Sequence, residues 1–259
     1  MLQELRLFLT AVQFFTRLPI PSWVGHDAQQ LGQTVRYFPA VGLLVGAFCA
    51  ATYAAAAHLL PLSLATGLSI AAGILMTGAF HEDGLSDFAD GLGGGYTREK
   101  ALAIMKDSRI GAFGAIALII ALLLKYQSLL SLGDKHSLIY VSSAMIAAHS
   151  ISRLMAASLM LTQRYIREDA DARAKPAALQ PGLASSVIAL ITGILPLLLL
   201  SVSGARLASL FAALACALLM RAYLARLLKK RLGGYTGDCL GATQQLTELA
   251  FYLGLLANL

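Results

Sequence analysis

Long apolar runs constrain the fold of this chain more than any other feature of its sequence. A helix needs roughly 20 apolar residues to cross the hydrocarbon core of a bilayer, and the chain contains several runs of about that length. Only 13% of its 259 residues are charged, whereas a soluble domain usually carries about a quarter. No polar linker divides the chain. We therefore predict one integral membrane domain over residues 1–259, an all-α polytopic helix bundle.

Seven stretches have the length and apolarity of a span. They are residues 39–60, 62–80, 110–132, 137–161, 183–202, 205–224 and 242–259. Before them, charged residues interrupt the N-terminal segment and no small-residue cleavage site follows, so we do not predict a signal peptide. Its apolar residues recur at helical spacing, which predicts an amphipathic helix at the membrane interface. These residues are Leu5, Phe8, Leu9, Val12 and Phe15.

The basic residues predict the orientation. Sixteen of the twenty Lys and Arg residues fall in loops on one side of the seven-span arrangement, and only Lys135 and Arg206 fall in loops on the other. Cytoplasmic loops of membrane proteins carry such an excess. We therefore predict a protein of the cell inner membrane, with its N-terminus and larger loops in the cytoplasm and its C-terminus outside. Because topology accounts for the net charge of +6, no nucleic-acid partner is expected.

The segment 81–111 differs from the rest of the chain, and we predict that it is a cytoplasmic catalytic loop. It holds six of the fourteen acidic residues, namely Glu82, Asp83, Asp87, Asp90, Glu99 and Asp107. Three of these aspartates are spaced i, i+4 and i+7, so they share one face if the preceding span continues as a helix. Such like charges repel each other. A hard cation such as Mg²⁺ bound between them would make the arrangement favourable instead. A solvated acidic loop is the alternative, but it gives no reason for helical register.

The same segment contains groups suited to phosphate. The backbone N–H groups of Gly93, Gly94 and Gly95 could approach a phosphate, and Lys106 and Arg109 could bind its oxygens. A flexible hinge between two helices is the alternative for the glycines. Together with the carboxylates, these groups predict a phosphoryl-transfer site.

Ionisable residues inside spans are costly and are therefore candidates for function. Glu248 lies four residues after Gln244 in the last span, which opens on a polar segment that includes Asp238. Arg153 lies one turn after His149 and could bind a substrate phosphate. For both Glu248 and Arg153 the alternative is an ion pair that joins helices, with Lys125 or Arg153 as the partner of Glu248.

Four motifs, in family order along nearly the whole chain, resemble the cobalamin synthase family, the adenosylcobinamide-GDP ribazoletransferases. They are Phe15-Thr16-Arg17-Leu18-Pro19, His81-x-Asp83-Gly84-Leu85-x-Asp87-x-x-Asp90-Gly91, Met105-Lys106-Asp107-Ser108-Arg109-Ile110-Gly111 and Gly233-Gly234-x-Thr236-Gly237-Asp238-x-Leu240-Gly241-Ala242. Two positions depart from the pattern: Ser86 stands where we expect Ala, and Gln245 stands where we expect Glu.

The resemblance implies a Mg²⁺-dependent transferase of late vitamin B12 assembly. Such an enzyme joins adenosylcobinamide-GDP to α-ribazole, or to its 5′-phosphate, and releases GMP. These substrates and membrane lipid are the expected partners, and a homo-oligomer or an association with other cobalamin-pathway enzymes stays open. In this interpretation the ribazole 5′-hydroxyl attacks the cobinamide-bound phosphorus.

The candidate roles follow from that reaction. The candidate metal ligands are Glu82, Asp83, Asp87, Asp90 and Asp107. The candidate acceptor of the hydroxyl proton is His81 or one of these carboxylates. The candidates for binding substrate are Gly93, Gly94, Gly95, Lys106, Arg109, Arg153, Asp238 and Glu248.

Two other functions are weighed against this one. A CDP-alcohol phosphatidyltransferase also keeps Asp-Gly-rich acids at a membrane face, but its pattern places Ala-Arg after Asp-Gly, and here Gly84 is followed by Leu-Ser-Asp. An ion-coupled transporter should carry its acids on broken helices in mid-membrane, within internal repeats, whereas the acids here cluster between two spans.

Overall fold

The computed structural model describes residues 2–25, 32–166 and 182–257, and within them the chain is built from α-helices and short 3₁₀ turns. The predicted all-α class is therefore confirmed. The helices are α1 (Leu2–Phe15), α2 (Phe38–Ala57), α3 (Leu62–Thr77), α4 (Phe80–Gly94), α5 (Arg98–Met105), α6 (Ala112–Lys135), α7 (Leu138–Thr162), α8 (Leu183–Ile194), α9 (Pro196–Val202), α10 (Leu207–Arg231) and α11 (Gly237–Leu256). The 3₁₀ turns are Ser22–Val24 and Val35–Tyr37.

Five segments of the described chain are long and apolar enough to cross a membrane. They are Gly32–Ala57, Ala112–Lys135, Leu138–Thr162, Leu183–Val202 and Leu207–Arg231. Helices α3 and α4 would make a sixth if taken together, although they meet at an angle of 88°. The predicted count of seven is not confirmed. Helix α11 lies where the seventh was expected, but the polar side chains that it buries inside the bundle lower its hydropathy.

Helices α7 and α11 form the centre of the bundle. Of the most apolar part of α7, 78% is buried inside the protein, and α2 packs along α7 with its glycines against the α7 backbone. A Cβ on Gly46 would lie 2.8 Å from the Cα of Ile146, and one on Gly42 would collide with the carbonyl oxygen of His149. Small residues of this kind let membrane helices approach closely. This contact fixes the position of α7 and of the polar residues on it.

The N-terminal helix is present, but its buried face differs from the predicted stripe. Leu5 is 48% exposed, whereas Leu7 and Ala11 are buried against the rest of the bundle together with Val12 and Phe15. Leu5 therefore lies outside the face of α1 that packs on the bundle. The location of α1 at a membrane interface stays a prediction.

A sharp bend separates α3 from α4. Gly78 and Ala79 both adopt left-handed backbone conformations, with φ of 65° and 59°, and such a φ is uncommon for alanine. The backbone N–H of Arg17 donates to the Met76 carbonyl at 2.8 Å, and the Arg17 side chain packs where a Cβ of Gly78 would lie. The Phe15–Pro19 motif thus holds the bend at which the acid-rich segment begins.

The segment 81–111 is mostly helical, which corrects its description as a loop. Residues 80–94 form α4 and residues 98–105 form α5. Helix α4 is not a continuation of α3, because the bend intervenes, yet within α4 the i, i+4, i+7 spacing still sets three aspartates on one side. The acids are therefore held in fixed register.

Candidate active site

Helix α4 divides its charged residues between the bundle interior and the surface. His81 and Glu82, in its first turn, are 4% and 9% exposed and face the interior. Asp83 is exposed, and Asp87 is half-buried. Asp90 is buried and faces the start of α6. The acids predicted to act together therefore lie in three different environments.

The interior side opens onto a polar cavity of about 420 Å³, part of it open to solvent, which we call the polar chamber. Four helices supply its ionisable and amide side chains. These are His81 and Glu82 from α4, Lys125 from α6, His149 and Arg153 from α7, and Gln244, Gln245 and Glu248 from α11. A hydrophilic cavity enclosed by apolar helices is the expected place for a polar substrate group.

An ion pair and amide hydrogen bonds join the helices around this chamber. The Nζ atom of Lys125 lies 3.2 Å from Oε1 of Glu248 and donates to Oε1 of Gln245 at 2.8 Å. The Nε2 atom of Gln244 donates to Oε2 of Glu248 at 2.7 Å. Of the two alternatives for Glu248, the structure therefore shows the ion pair between helices, with Lys125 as partner.

Gln245 makes contacts that a glutamate could not make. Its Oε1 accepts from Lys125, while its Nε2 donates to Oε1 of Glu82 at 2.9 Å. A carboxylate at this position would have no N–H to donate and would face Glu82 with like charge. The glutamine that departs from the family pattern therefore fits a position between a lysine and a glutamate.

Arg153 is a buried cation with donor capacity to spare. The residue is only 3% exposed, and its Nη1 atom donates to the carbonyl oxygen of His149 at 3.0 Å. Among the described residues, the Nε atom has no hydrogen-bond partner and no carboxylate forms an ion pair with Arg153. A buried guanidinium without a close counter-charge is costly. The carboxylates of Glu82 and Glu248 attract Arg153 only from beyond ion-pair distance, whereas a substrate phosphate would supply negative charge in direct contact.

Asp90 is engaged in holding the start of α6. Its Oδ2 accepts from the N–H of Gly111 at 2.7 Å and its Oδ1 from the N–H of Gly114 at 2.8 Å. A carboxylate at a helix N-terminus satisfies unpaired N–H groups and interacts favourably with the helix dipole. In the structure Asp90 therefore serves as a cap between α4 and α6.

Replacing Asp90 by asparagine should lower the free energy of unfolding by about 1–3 kcal/mol, because one N–H loses its acceptor and the negative charge is lost. Unfolding of the protein in mixed micelles would measure this. The matched control is Asp134→Asn at the exposed end of α6, which should change little. A loss of activity that added Mg²⁺ restores, without loss of stability, would contradict the capping role.

Two other predicted site residues pair with each other at the surface. The Nη2 atom of Arg109 lies 2.6 Å from Oδ2 of Asp107, and the backbone N–H of Arg109 also donates to Asp107 at 3.1 Å. These hydrogen bonds lower the pKa of Asp107 to about 2. Lys106 next to them is exposed. The structure does not bring these three residues into the polar chamber.

The glycine triplet closes the C-terminal end of α4. Gly93 and Gly94 lie within the helix, and the N–H of Gly95 donates to the Gly91 carbonyl at 2.9 Å. A Cβ on Gly95 would lie 2.5 Å from the Cα of Ala101. Gly94 and Gly95 therefore pack α4 on α5, while Gly93 packs against the Phe113 ring of α6. Within this helical packing the three N–H groups do not form a phosphate cradle.

The acids do not assemble into a ready-made metal site. In the described ranges, no three His, Cys, Asp or Glu side chains converge on one point. Mg²⁺, however, is often held by one or two carboxylates plus substrate phosphates and water. Asp83 and Asp87, one turn apart toward the surface of α4, fit that requirement. Asp238 starts α11 nearby, since a Cβ on Gly84 would lie 3.2 Å from the Asp238 Cα.

Several residues of the chamber carried no role in the sequence analysis. His149, Gln244 and Gln245 are held there by packing of α7 and α11. The usable signal was a pair of polar residues one helical turn apart inside an apolar run, as in His149 with Arg153 and Gln244 with Glu248.

Comparison with known proteins identifies the chain's relatives. The profile of the family described as cobalamin-5-phosphate synthase matches residues 7–256. A protein of Shewanella frigidimarina named adenosylcobinamide-GDP ribazoletransferase is 46% identical over 256 residues, which cover 99% of this chain and 96% of the relative. The protein of the same name from Shewanella piezotolerans is 47% identical, covering 98% and 96% of the two chains. No solved structure shows significant similarity to this chain.

Proposed function

Because the chain belongs to the cobalamin-5-phosphate synthase family, we propose that it transfers the cobinamide phosphate of adenosylcobinamide-GDP to α-ribazole, or to α-ribazole 5′-phosphate, and releases GMP. The observation that carries this proposal is the buried guanidinium of Arg153, which faces a polar chamber and forms no ion pair with a described carboxylate. A pyrophosphate needs such a group. Family membership favours this reaction over the phosphatidyltransferase and the transporter.

The attacking oxygen must differ from the one expected at first. In α-ribazole 5′-phosphate the 5′-oxygen already carries a phosphate, and the family name describes a product that keeps a 5-phosphate. Another ribose hydroxyl is therefore the nucleophile, which replaces the 5′-hydroxyl of the sequence analysis. Its oxygen bonds to the cobinamide-bound phosphorus, the bond from that phosphorus to the bridging oxygen breaks, and GMP leaves with the electron pair.

The residues of the chamber take distinct parts in this step. Arg153 neutralises the phosphate that accepts the attack. His81 is buried and lines both the polar chamber and a second, adjoining cavity. In this proposal it accepts the hydroxyl proton. The carboxylates of Glu82 and Glu248 point into the same space and are held by amides of α11. The enclosing helices exclude bulk water, which limits hydrolysis of the donor.

Asp83 and Asp87 are the residues that we propose to hold Mg²⁺. Bound there, the ion would neutralise charge on the pyrophosphate. Both side chains lie toward the surface of α4, while His81 and Glu82 of the same helix face the interior. Helix α4 would therefore carry both the metal ligands and part of the lining of the polar chamber.

We also propose that α4, α5 and the basic end of α10 face the cytoplasm in the inner membrane. The Nη2 atom of Arg231 donates to the Gly95 carbonyl at 2.7 Å, so the Lys- and Arg-rich end of α10 lies beside the C-terminal end of α4. Clustered basic residues favour the cytoplasmic side. Donor and acceptor would then bind from the cytoplasm.

The test is GMP release from adenosylcobinamide-GDP by the purified protein in lipid nanodiscs, with each acceptor, in Mg²⁺ and in EDTA. We expect GMP to form only with an acceptor and Mg²⁺, and an equal amount of corrinoid product. Well-folded protein that forms no GMP under any of these conditions would refute the proposed reaction. GMP that forms equally well in EDTA would refute the role of Mg²⁺ alone.

A further inference from the structure

A second cavity adjoins the polar chamber. It encloses about 550 Å³, part of it open to the outside, and we call it the aromatic chamber because six rings line it. These rings belong to Phe14, Phe15, Phe38, Phe80, Tyr165 and Tyr235. His81, Arg153 and Gln244 line both chambers. A molecule in the aromatic chamber can therefore reach the polar one.

Ring contacts hold the wall of this chamber in place. The ring of Phe15 meets that of Phe38 edge to face at 4.5 Å between centroids and lies parallel to His81 at 5.7 Å. On the opposite wall, the backbone N–H of Tyr235 donates to the Arg164 carbonyl at 2.9 Å. Because these rings are packed against neighbours, the chamber is pre-formed, as small-molecule sites usually are.

Two buried polar atoms of residues that line this chamber have no partner among the described residues. They are the hydroxyl of Tyr235, a residue only 1% exposed, and Nε of Arg153. A buried tyrosine hydroxyl usually finds a partner, and leaving it without one is costly. A ligand that places one hydrogen-bond acceptor near Tyr235 and negative charge near Arg153 would satisfy both atoms.

This combination matches one part of one substrate. Resting on the proposed function, we propose that the aromatic chamber binds the dimethylbenzimidazole base of the acceptor, with the hydroxyl of Tyr235 donating to its free ring nitrogen. That base is flat and apolar, and it has a single ring acceptor. Guanine presents donors and acceptors around most of its edge, and burying them against phenylalanine rings without partners would be unfavourable.

The proposed site also orients the ribose. With the base among the rings, the sugar lies where the two chambers meet, next to His81, Arg153 and Gln244. A ribose hydroxyl then faces the polar chamber, in which the phosphate of the donor is expected. Tyr235 and the phenylalanines act in this scheme as specificity-determining residues, and the proton acceptor remains His81.

Replacing Tyr235 by phenylalanine tests the site with little risk to folding, since the lost hydroxyl has no partner in the described part of the chain. We expect the KM for α-ribazole to rise about fivefold to tenfold, the worth of one hydrogen bond. The KM for adenosylcobinamide-GDP should change less than about twofold, and the melting temperature should stay the same or rise. The control is Tyr223→Phe, at a tyrosine that is 59% exposed on α10.

A second measurement uses the free base as the probe. Dimethylbenzimidazole should inhibit competitively with α-ribazole and not with the donor, and the inhibition should weaken in Tyr235→Phe. An unchanged acceptor KM, or a variant that raises the KM of the donor instead, would overturn the assignment. Failure of the wild-type protein to form GMP would refute the proposed function itself, so the two failures are distinguishable.

Discussion

Replacing Asp83 or Asp87 by asparagine should reduce GMP release at least about 100-fold while leaving the bundle folded. A bound divalent ion contributes several kcal/mol of transition-state stabilisation, and about 1.4 kcal/mol corresponds to a factor of ten in rate. The substitution keeps the shape of the side chain but removes its charge. Since Asp83 is exposed and Asp87 only half-buried, packing should change little. The assay is single-turnover GMP release in lipid nanodiscs.

The Mg²⁺ dependence separates metal binding from other roles. If these aspartates hold the ion, each variant should need more Mg²⁺ for half-maximal activity, and the melting temperature should match that of the wild type. Glu99→Gln is the matched control, because Glu99 is an exposed acid in the first turn of α5 and should have near-normal activity. Near-normal turnover in both aspartate variants would refute the proposed metal site.

Hydropathy and spacing predicted the helices of the bundle closely. The fourth predicted span, 137–161, is α7, Leu138–Thr162, and the fifth, 183–202, has the predicted limits with a break before Pro196. The bend at Gly78 and Ala79 could not be predicted, because it depends on Arg17, which is distant in sequence. Because the sequence gives no sign of this bend, it predicts a loop where the structure has two helices.

The candidate site was predictable in part. Composition drew attention to α4 as a cluster of acids, but it could not separate buried Glu82 from exposed Asp83, since that difference depends on which face of α4 meets α11. In the structure Asp90 caps α6, Asp107 pairs with Arg109 and the glycines pack against neighbouring helices, and their roles in binding metal or phosphate stay predictions. Arg153 and Glu248 were found because a charge inside a span is costly whatever its neighbours are.

Removing one partner of the buried pair between Lys125 and Glu248 should be far more damaging than removing both. The two side chains are 8% and 1% exposed. Glu248→Gln leaves a buried ammonium group without its carboxylate, and Lys125→Met leaves the carboxylate without its cation. Each change should cost about 3–5 kcal/mol of unfolding free energy. The double variant should cost much less than either single one, because neither partner is left charged without the other.

A double-mutant cycle in mixed micelles measures this coupling. Lys135→Met is the matched control, since Lys135 ends the same helix but is exposed, and its effect should simply add to that of Glu248→Gln. If the effects of Lys125→Met and Glu248→Gln also add, Glu248 does not serve mainly to balance Lys125. If they are coupled, the pair is neutral as a unit, and the guanidinium of Arg153 remains the cation of the polar chamber that can receive a substrate phosphate.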